Sequence, residues 1–431
     1  MILLKTALPF AALVCLLTAC NQQAKTQTAQ TSSADTISAL ATAPTALTKE
    51  KFRHYNIACD NFFDSLLLRH NGSFNGAILV AKDGNIVYEK YAGFKNPAIH
   101  KDSIGINSAF HLASVSKTFT AMAVLKLWEE GRLSIEDSLG KYFPNFPYRD
   151  ITVKMLLSHR SGLPNYVHYL ELNGWDKRKM VNNVDVLTSL YMMHPPLEFP
   201  SGKHFSYCNT NYALLALIIE KVTGQTYAAF LNQTFFTPLQ MKDTYVYSLK
   251  DTATAMLSYQ FNNRPYRLEF LDAVYGDKNV YSTTRDMLKW DQALYAGKLF
   301  KQATLDSAFA GYSFEKEGHR NYGLGWRMTF LDNGKKLLYH NGWWHGNNAA
   351  FIRLTDERAT IIVLGNKFNR RIYAAKHAAD IFGNYLQHGN SGEEIETVST
   401  GGGEPANAVA ATNTVKHTAV RHHSGRRHRR H

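Results

Sequence analysis

Ala77-Ile78-Leu79-Val80-Ala81 and Ile86-Val87-Tyr88-Glu89-Lys90-Tyr91 stand on either side of Asp83-Gly84. Two apolar runs joined by Asp-Gly are a strong hairpin signal, because both turn residues tolerate the left-handed backbone that a tight turn between twisted strands demands. Just upstream, Phe52, Tyr55, Cys59, Phe62, Phe63 and Leu66 recur at helical spacing, so residues 52–68 read as an amphipathic helix that opens the domain. Strand-like runs return only near the other end, at Lys336–Tyr339, Ala350–Leu354 and Thr360–Leu364, the last two joined by the polar turn Thr355–Arg358. A helix over Ile372–Leu386 closes the domain. Between these ends the pattern is mostly helical, punctuated by turn clusters such as Ser161-Gly162-Leu163-Pro164 and Pro200-Ser201-Gly202. The reading is therefore an α/β (α+β) domain over residues 49–390, an antiparallel sheet flanked by helices. Its sheet part comes from about 50–112 and 301–388, an inserted, mainly α-helical region covers about 113–300, and a cleft is expected between the two.

The chain has 431 residues, 45% of them hydrophobic and 19% charged, enough apolar material for a sizeable core and too much for a disordered or collagen-like chain. The formal charge of +13 is concentrated at the end. Lys416, Arg421, Arg426, Arg427, Arg429 and Arg430 occur there with no acid, which leaves +7 for everything before them. No zinc-finger spacing or basic-region helix with heptads occurs, so no sequence-specific nucleic-acid partner is expected.

Lys5 followed by the mostly apolar stretch from Ala7 to Ala19 is too short for a spanning helix and has the form of an export signal, residues 1–19. Its end, Leu17-Thr18-Ala19-Cys20, resembles the bacterial lipoprotein cleavage box, which makes Cys20 the expected lipidation site and membrane anchor in the cell envelope. Residues 20–48, rich in Gln, Thr, Ser and Ala without periodicity, read as a flexible tether. Residues 391–431 read as a disordered His/Arg-rich tail, either merely solvated, or adhering to an anionic envelope polymer, or weakly metal-binding through His417, His422, His423, His428 and His431. Cys59, in a helical segment, reads as a buried thiol rather than a bridge partner.

Three short segments carry chemistry. Ser114-Val115-Ser116-Lys117 opens an apolar helix containing Phe119, Met122, Ala123, Val124 and Leu127. Residues three apart on a helix share a face, so Lys117 reaches the Ser114 hydroxyl, and an amine held in a cleft can serve as a base. Ser138-Leu139-Gly140-Lys141 has the same spacing but leads into no comparable apolar helix. Tyr207-Cys208-Asn209 follows a loop-like approach, and in an extended segment residues two apart point the same way, so Tyr207 and Asn209 are expected to face one cavity. His340-Asn341-Gly342, followed by Trp343-Trp344-His345-Gly346, ends a predicted strand. There an edge strand could pair with substrate, His340 could supply a hydrogen-bond donor, and Gly342 could let substrate approach closely.

In this order, a helix-borne Ser-x-x-Lys, a Tyr-x-Asn loop and a late His-x-Gly strand, the chain resembles the penicillin-recognising serine hydrolases. The group in question contains class C β-lactamases, D-alanyl-D-alanine carboxypeptidases, D-aminopeptidases and β-lactamase-like esterases. Leu156-Leu157-Ser158-His159-Arg160-Ser161-Gly162-Leu163-Pro164, Tyr281-Ser282-Thr283-Thr284-Arg285-Asp286-Met287 and Tyr322-Gly323-Leu324-Gly325-Trp326 add to the likeness, which covers about residues 50–388. The resemblance implies a β-lactamase/transpeptidase-like fold and Ser114 as the nucleophile of an acyl-enzyme, with Lys117 and Tyr207 sharing general-base and general-acid duties. It further implies that Asn209 contacts Lys117 and substrate, that His340 occupies the place of the lysine in a Lys-Thr-Gly box, and that the backbone N–H groups of Ser114 and Trp343 form an oxyanion hole. No metal or cofactor is implied.

The departures bear on substrate. His340 for Lys resembles some carboxypeptidases and esterases of the group, and Asn341 replaces a Thr whose hydroxyl helps hold a substrate carboxylate. Asn279, in Gly276-Asp277-Lys278-Asn279-Val280, stands where relatives often have Gly, and since Asn tolerates a left-handed backbone the change is expected to be silent. The expected activity is hydrolysis of a small-molecule or short-peptide amide or ester by an esterase or D-amino-acid peptidase or carboxypeptidase. The alternatives are a true β-lactamase and a non-catalytic ligand-binding or scaffolding envelope protein.

Overall fold

The computed structural model describes residues 43–69, 74–295, 297–315 and 318–386. The export signal, Cys20, most of the tether and the His/Arg-rich tail lie outside the described residues. The tether's last residues are part of the domain, since Thr45 N–H donates to the Asp83 carbonyl at 2.9 Å.

The chain opens with α1 (Lys49–Phe63), capped by the Thr48 side chain, and continues through a π-helical turn, Asp64–Leu68. Phe52, expected on its apolar face, is 42% exposed, and the buried line is Cys59, Phe63 and Leu67. Next come β1 (Gly76–Lys82), β2 (Asn85–Ala92), the short pair β3 (Phe94–Asn96) and β4 (Lys101–Ser103), and β5 (Phe110–His111). The middle of the chain holds α2 (Ser116–Glu129), α3 (Val153–Leu157), α4 (Tyr166–Leu172), α5 (Asn183–Met193), α6 (Asn209–Thr223), α7 (Tyr227–Leu231), β6 (Tyr245–Val246), β7 (Val280–Ser282) and α8 (Thr284–Ala293). After α9 (Gln302–Ala308) the chain returns to strands, β8 (Arg320–Tyr322), β9 (Arg327–Phe330), β10 (Lys336–Trp344), β11 (Asn347–Leu354) and β12 (Ala359–Gly365).

Seven strands make one antiparallel sheet in the order β2-β1-β12-β11-β10-β9-β8, so strands from both ends of the chain meet where β1 pairs with β12. Asp83 and Gly84 both have positive φ, 50° and 78°, as the Asp-Gly turn requires. Both faces of the sheet are covered. Ile78 and Val80 of β1 belong to the core under α1 and the closing helix, whereas Ala77, Leu79 and Ala81 belong to the larger core that includes α2. Period-two alternation is thus hidden, because both sets are apolar.

Three expectations change. The closing helix is a 3₁₀ helix, Arg370–Ile381, and stops short of Leu386. Ile372, Ala375 and Ala378 are buried at intervals of three, which matches three residues per turn laid flat on the sheet. The region read as helical contains β6 and β7, which with β5 form a separate three-stranded sheet. Lastly, α8 belongs with the large sheet although it lies before residue 300. Arg285 forks onto Glu89 of β2 with two bonds of 2.9 Å, and Asp291 accepts from Arg353 of β11 and Thr360 of β12, each at 2.5 Å.

Arg353 and Asp291 are both wholly buried, and the guanidinium also stacks on Tyr295, 4.6 Å from the ring centre. Removing one partner strands a charge, whereas replacing both by apolar groups does not. Asp291→Ala is therefore expected to lower unfolding free energy by about 3–5 kcal/mol in urea titrations. The double change Asp291→Leu with Arg353→Met should cost clearly less, and equal losses from the two would contradict the buried-pair account.

Candidate active site

The nucleophile candidate sits where the two halves of the domain touch. Ser114 lies in a 3₁₀ turn, Ala113–Val115, that runs straight into α2, and α2 is buried from Ser116 to Leu125. An all-round apolar helix of this kind is a central one, so its first turn is held rigidly. Ser116 Oγ accepts from Val280 N–H at 3.0 Å and ties the turn to β7. Lys117 is fully buried, and its Nζ donates to Ser114 Oγ at 3.0 Å and to the Asp277 carbonyl at 2.8 Å. The Ser138–Lys141 repeat is a surface 3₁₀ turn whose lysine pairs with Asp137.

Tyr207 and Asn209 do not share an extended segment. Cys208 is the last extended residue, and Asn209 begins α6, drawn into the helix by the apolar run that follows. Tyr207 nevertheless reaches the site. Lys117 Nζ lies 4.9 Å above its ring centre and the Arg327 guanidinium lies 4.8 Å away, so the amine and the guanidinium flank the phenol. The Tyr207 hydroxyl and Asn209 Oδ1 are shielded from solvent without a hydrogen-bond partner among the described residues. The amide contact with Lys117 implied by the family resemblance is not formed, and Lys117 Nζ instead bonds Ser114 Oγ and the Asp277 carbonyl.

The strand read as ending near Tyr339 continues to Trp344 and turns at His345-Gly346 into β11. Its pairing with β9 stops at Tyr339, so His340 to Trp344 have a strand neighbour on the β11 side alone. The expected open edge is therefore present beside Ser114. Gly342 has a different role from the one expected. A Cβ there would lie 2.2 Å from the Leu112 carbonyl oxygen and 3.2 Å from Ala113 Cβ, so the missing side chain admits the chain's own backbone rather than substrate. This contact sets Gly342-Trp343 against Ala113-Ser114, the two stretches whose N–H groups were expected to form the oxyanion hole. Asn341 and Trp343 point to the half-buried face, where Trp343 packs on Phe368 and its Nε1 donates to the His345 carbonyl at 2.8 Å.

His340 is fully buried and is not a donor toward the cleft. Its Nδ1 lies 2.8 Å from the Asn341 carbonyl, which can only accept, so Nδ1 carries the proton and Nε2 accepts from the Tyr322 hydroxyl at 3.2 Å. Burial, with Arg327 and Lys117 nearby, holds its pKa well below the usual histidine value. His159, quoted above only as part of a motif, is likewise buried, and its Nδ1 accepts from Cys208 N–H at 3.1 Å, holding the Tyr207 loop. Its ring lies 4.4 Å from that of Tyr207 and 4.8 Å from that of Tyr322. Burial, Lys117 and Arg327 keep it neutral too. Arg327 and Tyr322 are site residues that sequence reasoning did not single out. Arg327 directly follows the quoted Tyr322–Trp326 motif, which was the available signal.

Below Lys117, Asp277 accepts from the Tyr166 hydroxyl at 2.8 Å, and Lys278 Nζ donates to that same hydroxyl at 2.6 Å while lying 4.6 Å over the Trp344 ring. Burial lowers the Lys278 pKa. Asn279 is left-handed as expected, φ 77°, but not silent. Its amide bonds His111 Nε2 at 2.9 Å and the Asp272 carbonyl at 2.7 Å. Cys59 and Cys208 are both free and buried, and burial pushes each thiol up to about 12.

Residues 63–382 match the Beta-lactamase family. The chain belongs to that family. It is 34% identical over 321 residues to penicillin-binding protein 4* of Bacillus subtilis, spanning 71% of this chain and 70% of that protein. Among solved structures it resembles a penicillin-binding protein from Bacillus halodurans, with a TM-score of 0.64 and 23% identity over 74% of this chain and 98% of that one. It also resembles D-amino acid amidase from Ochrobactrum anthropi SV3, with a TM-score of 0.60 and 21% identity over 76% and 97% of the two chains. The fold is β-lactamase/transpeptidase-like, and this family member is a serine hydrolase.

The buried histidines give a pH dependence with a definite sign. Burial pulls His111 down to about 4, and His159 and His340 lie well below the usual value. All three are neutral when folded, but protonate near pH 6.5 when unfolded. Their stabilisation is therefore complete above that pH and is lost as pH falls toward about 4, at up to ~1.4 kcal/mol per pH unit for each ring. Thermal melts should show a midpoint that is level near pH 7 and falls from pH 6.5 to 4, with a shallower fall in His340→Gln. A midpoint indifferent to pH over this range would contradict the neutral assignment.

Proposed function

We propose that this serine hydrolase cleaves a small amide or ester through an acyl-enzyme on Ser114, with Lys117 and Tyr207 moving the protons. The observation that carries this reading is Lys117 Nζ at 3.0 Å from Ser114 Oγ, aimed by its second bond to the Asp277 carbonyl and lying against the Tyr207 ring. Ser114 Oγ attacks the substrate carbonyl carbon while its proton passes to the Lys117–Tyr207 pair. The oxyanion forms at the N–H groups of Ser114 and Trp343. The C–N or C–O bond then breaks, and the leaving atom takes the proton back from the same pair. Water attacks the Ser114 ester in a second, mirror-image step, releasing the acid and restoring the hydroxyl.

Neutral esters and D-amino-acid or short cell-wall-type amides are favoured over β-lactams. A lysine in the Lys-Thr-Gly box offers a fixed cation to a substrate carboxylate, whereas His340 is neutral and both of its ring nitrogens are engaged. We place the enzyme in the cell envelope, exported and held by an acyl chain on Cys20, with the basic tail free to contact anionic polymers.

Of fluorophosphonate and fluorescent penicillin, applied separately to the full-length protein, at least one, with the fluorophosphonate preferred, should leave an adduct on the Ser114 peptide by mass spectrometry, and none in Ser114→Ala. Lys117→Ala and Tyr207→Phe should lower turnover of p-nitrophenyl esters or D-phenylalanine amide about 10²-fold or more, and both substrates should outpace nitrocefin. Folded protein that takes no label on Ser114 from either probe would instead indicate a binding module. Palmitate incorporation that persists in Cys20→Ser would exclude the anchor.

A further inference from the structure

Ala113, the residue before the nucleophile, is left-handed at φ 47° and fully buried. A non-glycine residue in this region stores strain of order 1 kcal/mol and persists only when its surroundings hold it. The holding group is visible. Ala113 N–H donates to His111 Nδ1 at 3.0 Å, and His111 is fixed in turn by Asn279. Because Asn279 Nδ2 donates to the Asp272 carbonyl, its Oδ1 must be the atom facing the ring, so His111 carries its proton on Nε2 and offers a lone pair at Nδ1. The Tyr281 ring closes against the imidazole edge-on, 5.0 Å away.

The ties continue to the other side of the cleft. Asp272 Oδ1 accepts from Trp344 Nε1 at 2.6 Å and from His345 Nε2 at 2.9 Å, the two residues that follow Trp343 on β10 and its turn. Although burial alone raises the Asp272 pKa, the bonds from His345, Glu269 N–H and Trp344 hold it below the usual value, so it stays an acceptor. An unbroken line of hydrogen bonds therefore runs from the backbone before Ser114, through His111, Asn279 and Asp272, to the residues after Trp343. These are the two backbone segments expected to donate to the oxyanion.

We infer that His111 is a positioning residue for the acylation step, its Nδ1 lone pair holding the strained Ala113 peptide and, with Asn279 and Asp272, setting the Ser114 N–H relative to the Trp343 N–H. This rests on the Ser114 acyl-enzyme reading. His111 itself touches no reacting atom. It acts through the geometry of the two donors, and misplacing one such donor costs 10²–10³ in rate.

Side-chain geometry separates this role from simple packing. In His111→Asn the amide oxygen can occupy the Nδ1 position and still accept from Ala113, whereas in His111→Gln the carbonyl lies one bond too far out. Fluorophosphonate acylation of Ser114 and steady-state p-nitrophenyl ester hydrolysis should be followed in the full-length protein. His111→Gln and His111→Ala are expected to lose about 10²-fold in acylation rate and kcat with KM changed less than threefold, while His111→Asn stays within about fivefold of wild type. Asn279→Gly, which keeps the left-handed backbone but frees the ring, should fall between them. Acylation by folded His111→Ala within threefold of wild type would overturn the inference, as would equal losses in the Asn and Gln variants. Should the variants not fold, the ring ¹⁵N shifts of wild-type His111 decide, since a proton on Nδ1 is incompatible with the role. Wild-type protein that forms no Ser114 adduct overturns the acyl-enzyme reading and this inference with it, whereas normal wild-type acylation with insensitive variants overturns this inference alone.

Discussion

One bare α-carbon governs the architecture of the site. Strand β10 can seat against the turn carrying Ser114 only because Gly342 has no side chain where the Leu112 carbonyl oxygen stands, 2.2 Å from a would-be Cβ. That contact joins the sheet, assembled from both ends of the chain, to the central helix of the inserted region. The neighbours on each side follow from it. Strands β11 and β12 back β10, α2 is surrounded by apolar packing, and the 340–344 edge is left beside the Ser114 hydroxyl.

The electrostatics of the cleft follow from how much is buried there. Lys117 and Arg327 flank Tyr207, and the rings of Tyr207 and Tyr322 stand against His159 and His340. These two histidines stay neutral, chiefly because burial disfavours an imidazolium and secondarily because Arg327 and Lys117 lie near. Each then works through a lone pair and a single N–H: His159 accepts from Cys208, His340 links Asn341 to Tyr322, and His111 accepts from Ala113. Among the buried polar atoms without a partner in the described residues is the Tyr207 hydroxyl, whose ring lies against Lys117 and which has a hydrogen bond left to offer a bound substrate.

Local signals were legible where a single element sufficed to interpret them. Asp83-Gly84 specified its hairpin because the turn's backbone demand and the residue types coincide. Ser114 and Lys117 were readable because three residues on a helix bring two side chains to one face. Strand β10 was cut short in the reading because Asn341 and Gly342 lack strand propensity, and its true length depends on pairing with β11. Arg327, Tyr322 and His159 were passed over as participants for a different reason, since the motifs in or beside which they lie mark a stretch without assigning a role, and His159 meets the other two only when segments more than a hundred residues apart converge. The role of Gly342 was assigned to substrate because sequence shows that a side chain is absent without showing what occupies the space.

The sequence by itself determined the class of fold through periodicity and turn chemistry, the family through its likeness to known serine hydrolases, and the meeting of Ser114 with Lys117 through their spacing of three residues. The tertiary structure alone decided that His340 is a neutral strut rather than a cation, that Gly342 accommodates Leu112, and that Asn279 engages His111. Protonation and hydrogen-bond direction depend on burial and on partners distant in the chain, and a linear order of residues contains neither.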